Sequence, residues 1–130
     1  PFISVSGFTN NSIQLTKGQL GMSLTPQTHN ITNTSTTAGT EAGGYKFTVI
    51  NFNYLTSMVS DTSQGSPSEL DVYGGTEAIA ETVQGATLTL EPTNEDALFP
   101  TGTTSLTTTL IIEGMTTGAR KTLQIVVNKS

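Results

Sequence analysis

Apolar and polar residues alternate along several short stretches of the chain, with the period expected of β-strands that bury one face. The alternation is clearest in residues 86–91, 106–112 and 123–127, and it recurs in residues 12–16 and 20–24. Gly, Pro and Asn residues between these stretches favour turns. The pattern predicts a chain built mainly from short strands.

Three other stretches depart from simple alternation. Residues 45–54 carry apolar side chains on both faces of a predicted strand, which is then either central in a sandwich or covered by a neighbouring subunit. Residues 76–84 are ambiguous, because Ile79 and Val83 lie one helical turn apart and two alanines favour a short helix. Residues 28–44 offer little for a core to bury, and we expect a long Thr/Asn/Gly-rich loop there.

These elements predict an all-β fold, an antiparallel β-sandwich of about 7–9 strands with at most one short helix. A length of 130 residues suits a single domain that covers residues 1–130. We expect the core to include four residues on the apolar faces of alternating strands: Leu88, Leu110, Leu123 and Ile125.

Charge is sparse in this chain, and the composition narrows the classes of partner. Charged residues make up 12% of the sequence, against about 25% in a typical domain, and threonine supplies about a fifth of it. Hydroxyls and amides therefore keep the surface soluble, as is common in secreted and virion proteins. A net charge of −5 with five basic residues argues against a nucleic-acid partner, and no apolar run is long enough to span a membrane. The absence of cysteine excludes disulfides and thiolate zinc sites within this sequence.

Two stretches resemble the first and last strands of bacterial immunoglobulin-like (Big-type) domains: SIQLTKGQ at residues 12–19 and GTTSLTTTLIIEGMTTGARKTLQIVVN at residues 102–128. Such domains recur in surface proteins and as modules on phage capsids and tails. The resemblance implies an Ig-like sandwich that is used outside a cell. The stretch 28–44 and the absence of a core tryptophan depart from the better-known Ig-like patterns.

Candidate catalytic groups are few. His29 is the single histidine, and it lies in the predicted loop with no nucleophile motif beside it, so we expect a solvated side chain and no enzyme activity. The carboxylate pairs Glu69 with Asp71 and Glu95 with Asp96 are of the type used in glycoside hydrolysis or calcium binding. Neither pair has the loop pattern of a calcium site, and we interpret both as solvated surface. We expect no metal and no cofactor.

Four Asn-x-Ser/Thr sequons are candidate glycosylation sites if the chain is secreted: Asn10, Asn30, Asn33 and Asn128. A chain this rich in threonine and serine is expected to contain several sequons by chance. The basic residues are too scattered in the sequence to predict a phosphate-binding patch.

The N-terminal segment, residues 2–8, is too apolar to be left in solvent at a chain end. It is either the first strand of its own sandwich or a strand that pairs with a neighbouring subunit. We therefore take four of its residues as candidate assembly residues: Phe2, Ile3, Val5 and Phe8.

The sequence leaves three functions open. The first is a non-enzymatic structural subunit of a virion that decorates a capsid or contributes to a tail. The second is a subunit of a secreted filament or pilus that assembles by β-strand donation. The third is an adhesin or carbohydrate-binding module that uses residues 28–44. For the two structural roles we expect a homo-oligomer or a part of a larger assembly, with other protein subunits as partners; all three functions lie outside the cell or on a virion.

Overall fold

The computed structural model describes residues 3–19, 27–34, 45–61, 68–69, 77–83 and 87–130. These residues form ten strands and two single-turn 3₁₀ segments, Phe52–Tyr54 and Asp96–Leu98, and they contain no α-helix. The strands are β1 Ile3–Val5, β2 Ser12–Thr16, β3 Gln27–Asn33, β4 Tyr45–Ile50, β5 Leu55–Asp61, β6 Ser68–Glu69, β7 Glu77–Val83, β8 Thr87–Pro92, β9 Ser105–Gly114 and β10 Arg120–Asn128. The all-β prediction is confirmed. The structure has ten strands against the 7–9 predicted, because β3 and β7 lie in stretches that the sequence predicts as a loop and as an ambiguous short helix.

The strands form two five-stranded sheets, in the orders β1-β3-β8-β5-β6 and β2-β10-β9-β4-β7. Without β2, β6 and β7, the seven remaining strands follow the A-B-E-D and G-F-C orders of an immunoglobulin-like sandwich. The pairing is antiparallel throughout the described strands, except that β2 runs parallel to β10. The fold is therefore an Ig-like β-sandwich whose first strand is divided between the two sheets.

The core lies between the sheets and is made by the inward residues of alternating strands. Strands β9 and β10 show the alternation most clearly, because their buried and partly exposed positions change at every residue. The four residues predicted for the core are all fully buried: Leu88, Leu110, Leu123 and Ile125. Tyr45, Phe47 and Val49 of β4 are buried with them.

The segment predicted as an ambiguous short helix is a strand. Glu77–Val83 forms β7, which pairs antiparallel with β4 along most of its length. Alanine favours helices by less than 1 kcal/mol per residue. The ladder with β4 outweighs that preference.

The long strand predicted over residues 45–54 is shorter than expected. Strand β4 ends at Ile50, because Asn51 has φ 61° and turns the chain into the 3₁₀ segment Phe52–Tyr54. Asn tolerates this left-handed conformation better than most residues. Tyr54 therefore does not share a strand face with Ile50. The strand predicted at residues 20–24 lies outside the described residues.

The start of the predicted loop at residues 28–44 is also a strand. Residues 28–33 belong to β3, in which His29, Ile31 and Asn33 point inward and are buried. Two of these inward residues are polar, so the apolar alternation that indicates a strand is missing. Residues 35–44 lie outside the described residues.

Candidate assembly surface

The N-terminal strand β1 forms the edge of the first sheet. It pairs antiparallel with β3, from Ile3 opposite Asn33 to Val5 opposite Ile31. Ile3 and Val5 are buried in the core of their own chain, and Phe8 is half-buried against that core. Phe2 lies outside the described residues. Three of the four candidate assembly residues thus pack within this sandwich.

A tight turn carries the chain from the first sheet to the second. Thr9 and Ser12 exchange both backbone hydrogen bonds, at 2.9 and 3.0 Å. Asn10 and Asn11 between them have φ 51° and 62°, which is the pattern of a type I′ turn. The sequence Asn-Asn suits this turn, because Asn adopts positive φ more readily than most residues.

His29 fastens this crossover to β3. Its Nδ1 lies 3.0 Å from the carbonyl oxygen of Ser6, and because a carbonyl accepts only, Nδ1 carries the hydrogen. The Asn30 N–H donates to the Ser6 hydroxyl at 2.8 Å, and the Phe8 ring meets the imidazole edge-on at a centroid distance of 5.4 Å. His29 is 4% exposed, so the prediction of a solvated loop histidine is wrong.

The His29 imidazole makes its one hydrogen bond within the described residues through Nδ1. Its Nε2 atom has no hydrogen-bond partner among the residues that the structure describes. Gly7 lies directly against the ring, since a Cβ at that position would be 2.5 Å from Nδ1. We interpret His29 as a structural residue that holds the crossover between the two sheets against β3.

The outward positions of β2, β10, β9 and β4 form a broad surface. We call its uncharged part, which leaves out one row of charged residues near the β9–β10 hairpin, the outer face. Cross-strand pairing places its residues in rows, and the residues are Ser12, Gln14, Thr16, Thr48, Ile50, Ser105, Thr107, Thr109, Ile111, Thr122, Gln124, Val126 and Asn128. None of them is charged. One further row, at the end near the β9–β10 hairpin, holds the charges Lys46, Glu113 and Arg120.

Side-chain hydrogen bonds order the amides of the outer face. The Thr109 hydroxyl donates to Gln124 Oε1 at 3.1 Å, and Asn128 Nδ2 donates to Gln14 Oε1 at 3.0 Å. The outer face therefore presents hydroxyl and amide groups, and four of these side chains are joined in pairs by hydrogen bonds.

The four sequons differ in accessibility. Asn10 lies exposed in the turn, and Asn30 is exposed on β3. Asn128 is half-buried, with Nδ2 bonded to the outer face. Asn33 is fully buried and its Nδ2 donates to Thr117 Oγ1 at 3.1 Å, so this fold has no room for a glycan there.

The structure describes three of the four acidic candidates, Glu69, Glu95 and Asp96. Asp96 makes an ion pair with Lys17, with 3.0 Å between Oδ1 and Nζ. The Lys17 ammonium donates a hydrogen bond to this carboxyl and attracts its charge, which lowers the pKa of Asp96 below its usual range. Glu69 lies on β6, and Asp71 is outside the described residues.

A cleft of about 460 Å³ opens beside this ion pair and is lined by Lys17, Gln19, Asn94, Glu95, Asp96 and Ala97. Within the described part of the chain, no three His, Asp or Glu residues are grouped so as to hold a metal ion. The cleft is thus lined mainly by polar and charged residues.

Comparisons with family models, with curated proteins and with solved structures give no match to this chain. Among the described residues, no helix is long and apolar enough to cross a membrane.

Proposed function

We propose that this chain is a non-enzymatic structural subunit of a repetitive extracellular assembly, and specifically of a virion, where it decorates a capsid or contributes to a tail. The observation that carries the proposal is the uncharged outer face. The centres of protein interfaces are depleted of charged residues, and the outward residues of these four strands are uncharged outside the one row of Lys46, Glu113 and Arg120. Rows of hydroxyls and amides offer hydrogen bonds to an opposing subunit.

Two other features support the proposal. The strand order of the sandwich agrees with the resemblance of residues 12–19 and 102–128 to Big-type domains. His29 bonds the carbonyl of Ser6 rather than its hydroxyl, an arrangement that does not activate a serine nucleophile. Both features suit a subunit that acts by binding other proteins.

Immunogold electron microscopy of the native source tests the proposal directly. Antibody raised against this chain should label particles at regular, repeated positions. Label on fibres attached to cells would instead favour a filament subunit. Dispersed label, on neither particles nor fibres, would contradict both assignments.

A charge placed on the outer face tests whether this face contacts the particle. Ile111→Lys should weaken co-sedimentation of the protein with its native particle, because a buried unpaired ammonium is costly at an interface. Thr32→Lys is the matched control, since Thr32 is exposed on β3 of the other sheet. Equal co-sedimentation of the two variants would show that the outer face is not the contact.

The second candidate function is a filament subunit that assembles by strand donation, and β1 favours it. The strand has three residues, pairs with one neighbour, and inserts Ile3 and Val5 between the sheets. A second copy's identical segment would fit the same groove, and exchange of an identical element is a low-cost route to association.

Deleting residues 1–8 shows whether this strand is donated to a neighbouring subunit or pairs within its own chain. A donated strand predicts a truncated protein that melts cooperatively, fails to polymerise, and gains stability when a peptide of residues 1–8 is added. A strand used within its own chain predicts a large loss of monomer stability. A truncated protein of unchanged stability and normal assembly would contradict both.

A further inference from the structure

His29 is the one histidine of the chain, and it is buried beneath the crossover between the two sheets. The ring lies against Gly7 and Phe8, and Nδ1 donates to the Ser6 carbonyl oxygen at 3.0 Å. The other ring nitrogen, Nε2, is closed off from solvent and has no hydrogen-bond partner within the described residues. A neutral imidazole with its hydrogen on Nδ1 leaves Nε2 as an acceptor only. This neutral form fits the site.

A protonated imidazole does not fit the same site. It carries an N–H on both ring nitrogens and a full positive charge. The hydrogen on Nε2 would find no acceptor among the described residues and would be held away from water. A buried donor without an acceptor and a buried charge without a counter-ion both raise the free energy of the folded chain. The closed crossover therefore favours the neutral ring.

Around the His29 ring, the described strands supply no opposite charge. Strand β1, the crossover and β3 contain no charged residue. On β8, Leu88 lies opposite His29 and points inward, whereas Glu91 alternates to the other face of the sheet. On β10, which contacts β1, Lys121 follows the inward phase but is partly exposed, and its charge is positive. An imidazolium at this position would thus have no counter-ion.

The other titratable groups keep their charge in the pH range where histidine titrates. Among the described residues, the buried ones include no Asp, Glu, Lys or Arg, and the other buried titratable side chain is Tyr45. A phenol stays neutral below about pH 10, and carboxylates stay mostly ionised above about pH 5. The sequence contains no cysteine. Histidine is therefore the residue type that gains a charge between about pH 7.5 and about pH 5.

The segment that covers the ring is held by few contacts. Strand β1 has three residues, pairs with β3 alone among the described strands, and buries Ile3 and Val5. Ser6 N–H donates to the Asn30 carbonyl at 3.0 Å, and Asn30 N–H donates to the Ser6 hydroxyl at 2.8 Å. Short edge segments open locally at a lower free energy than the whole domain. Opening of β1 and the crossover is thus the least costly route by which water reaches the ring.

We propose that His29 makes the crossover a pH-sensitive switch, in which β1 and the crossover stay closed on β3 over a neutral imidazole and open locally when the ring is protonated. The open form takes up a proton that the closed form excludes. Opening is therefore favoured as the pH falls below about 6.5, where an exposed histidine gains its charge. It frees the edge of β3 and the apolar side chains Ile3 and Val5 for another subunit. The switch is a property of the single chain and goes beyond the proposed role in a virion.

Amide hydrogen exchange followed by NMR tests the opening. The protection factors of the Ser6 and Asn30 amides should fall about thirtyfold between about pH 7.5 and about pH 5, because opening takes up one proton. Protection factors already correct for the direct effect of pH on exchange. The amides of the β9–β10 ladder should keep theirs, because the sandwich stays folded. Unchanged protection at Ser6 and Asn30, or an equal fall in the β9–β10 ladder, would overturn the proposal.

His29→Asn is the matched control. Its amide nitrogen takes the place of Nδ1 and can donate to the Ser6 carbonyl, but the side chain gains no proton in this pH range. We expect the protection factors of Ser6 and Asn30 in this variant to be the same at both pH values. A fall as large as that of the unmodified chain would assign the pH dependence to another group and contradict the switch.

The ring itself gives a second readout, on the unmodified chain, that does not depend on whether the variant folds. Since the chain has one histidine, the imidazole Cε1–H signal belongs to His29. We expect the signal of a neutral imidazole wherever the Ser6 amide remains protected. A ring that becomes protonated while Ser6 and Asn30 keep their protection factors would overturn the proposal, because the closed crossover would then accept the charge.

Discussion

At the scale of single residues, Gly7 and His29 set how the chain leaves the first sheet. Gly7 has φ +81° and lies against the imidazole, whereas Gly102 has φ +85° and no atom near its missing Cβ. The two glycines therefore share the backbone requirement and differ in the space around them.

Alanine substitution at the two glycines distinguishes the cost of the left-handed backbone from the cost of the contact with His29. Gly102→Ala should cost about 1–2 kcal/mol, the price of left-handed backbone in a residue with a Cβ. Gly7→Ala should cost about 1–3 kcal/mol more, because the imidazole and the crossover must shift as well. Urea denaturation measures both. Equal losses of unfolding free energy in the two variants would mean that the His29 ring moves aside without cost.

The ion pair between Lys17 and Asp96 predicts a pH-dependent stability. Since the folded-state pKa of Asp96 is lowered, its contribution is present above the ordinary carboxyl pKa of about 3.9 and is lost as pH falls through the lowered value. Asp96→Asn should therefore reduce the melting temperature near neutral pH and have no effect in strong acid. The reduction should be small, because Asp96 is exposed.

Glu95→Gln is the control for this pH profile. It removes a neighbouring exposed carboxylate that makes no ion pair within the described residues. Thermal melts between pH 2 and pH 7, a range that spans about two units below and three above the ordinary carboxyl pKa, compare the two variants. A melting temperature for Asp96→Asn that stays below that of the unmodified chain at every pH would exclude the ion pair as the cause.

At the scale of elements, alternation predicts the strands whose inward residues are apolar and fails for the others. Strands β8, β9 and β10 follow the pattern, and Leu88, Leu110 and Leu123 are buried as expected. Strand β3 is missed because two of its inward residues are His29 and Asn33. Strand β7 is missed because its alanines fit a helix equally well, and the pairing with β4 that decides between the two is not local.

Adjacent residues on β9 test the assignment of inner and outer positions. Leu110→Ala should cost about 2–5 kcal/mol, since the side chain is fully buried in the core. Ile111→Ala, one residue along, should cost about 1 kcal/mol or less, because that side chain lies on the outer face. Similar losses in a denaturation series would mean that both faces of β9 are covered.

At the scale of the whole molecule, the sequence predicts the architecture but not which strands are neighbours. The alternation in residues 12–16 indicates a strand, yet nothing local shows that it leaves the first sheet and joins β10 in parallel. The apolar character of residues 2–8 is also a local signal, and it predicts a segment that is buried in its own sandwich or in a neighbour. The contact that holds this segment has no local signal, because His29 is distant in sequence and meets Ser6 only in the folded chain.

The parallel pairing of β2 with β10 has a mechanical consequence. Force that pulls the two ends of the chain apart draws β2 toward its start and β10 toward its end, in opposite directions along one axis. The hydrogen bonds between these strands then carry the load together, whereas those of a hairpin such as β9–β10 would open one after another. Stretching single molecules by their ends should give one abrupt rupture, and gradual lengthening at low force would contradict this geometry.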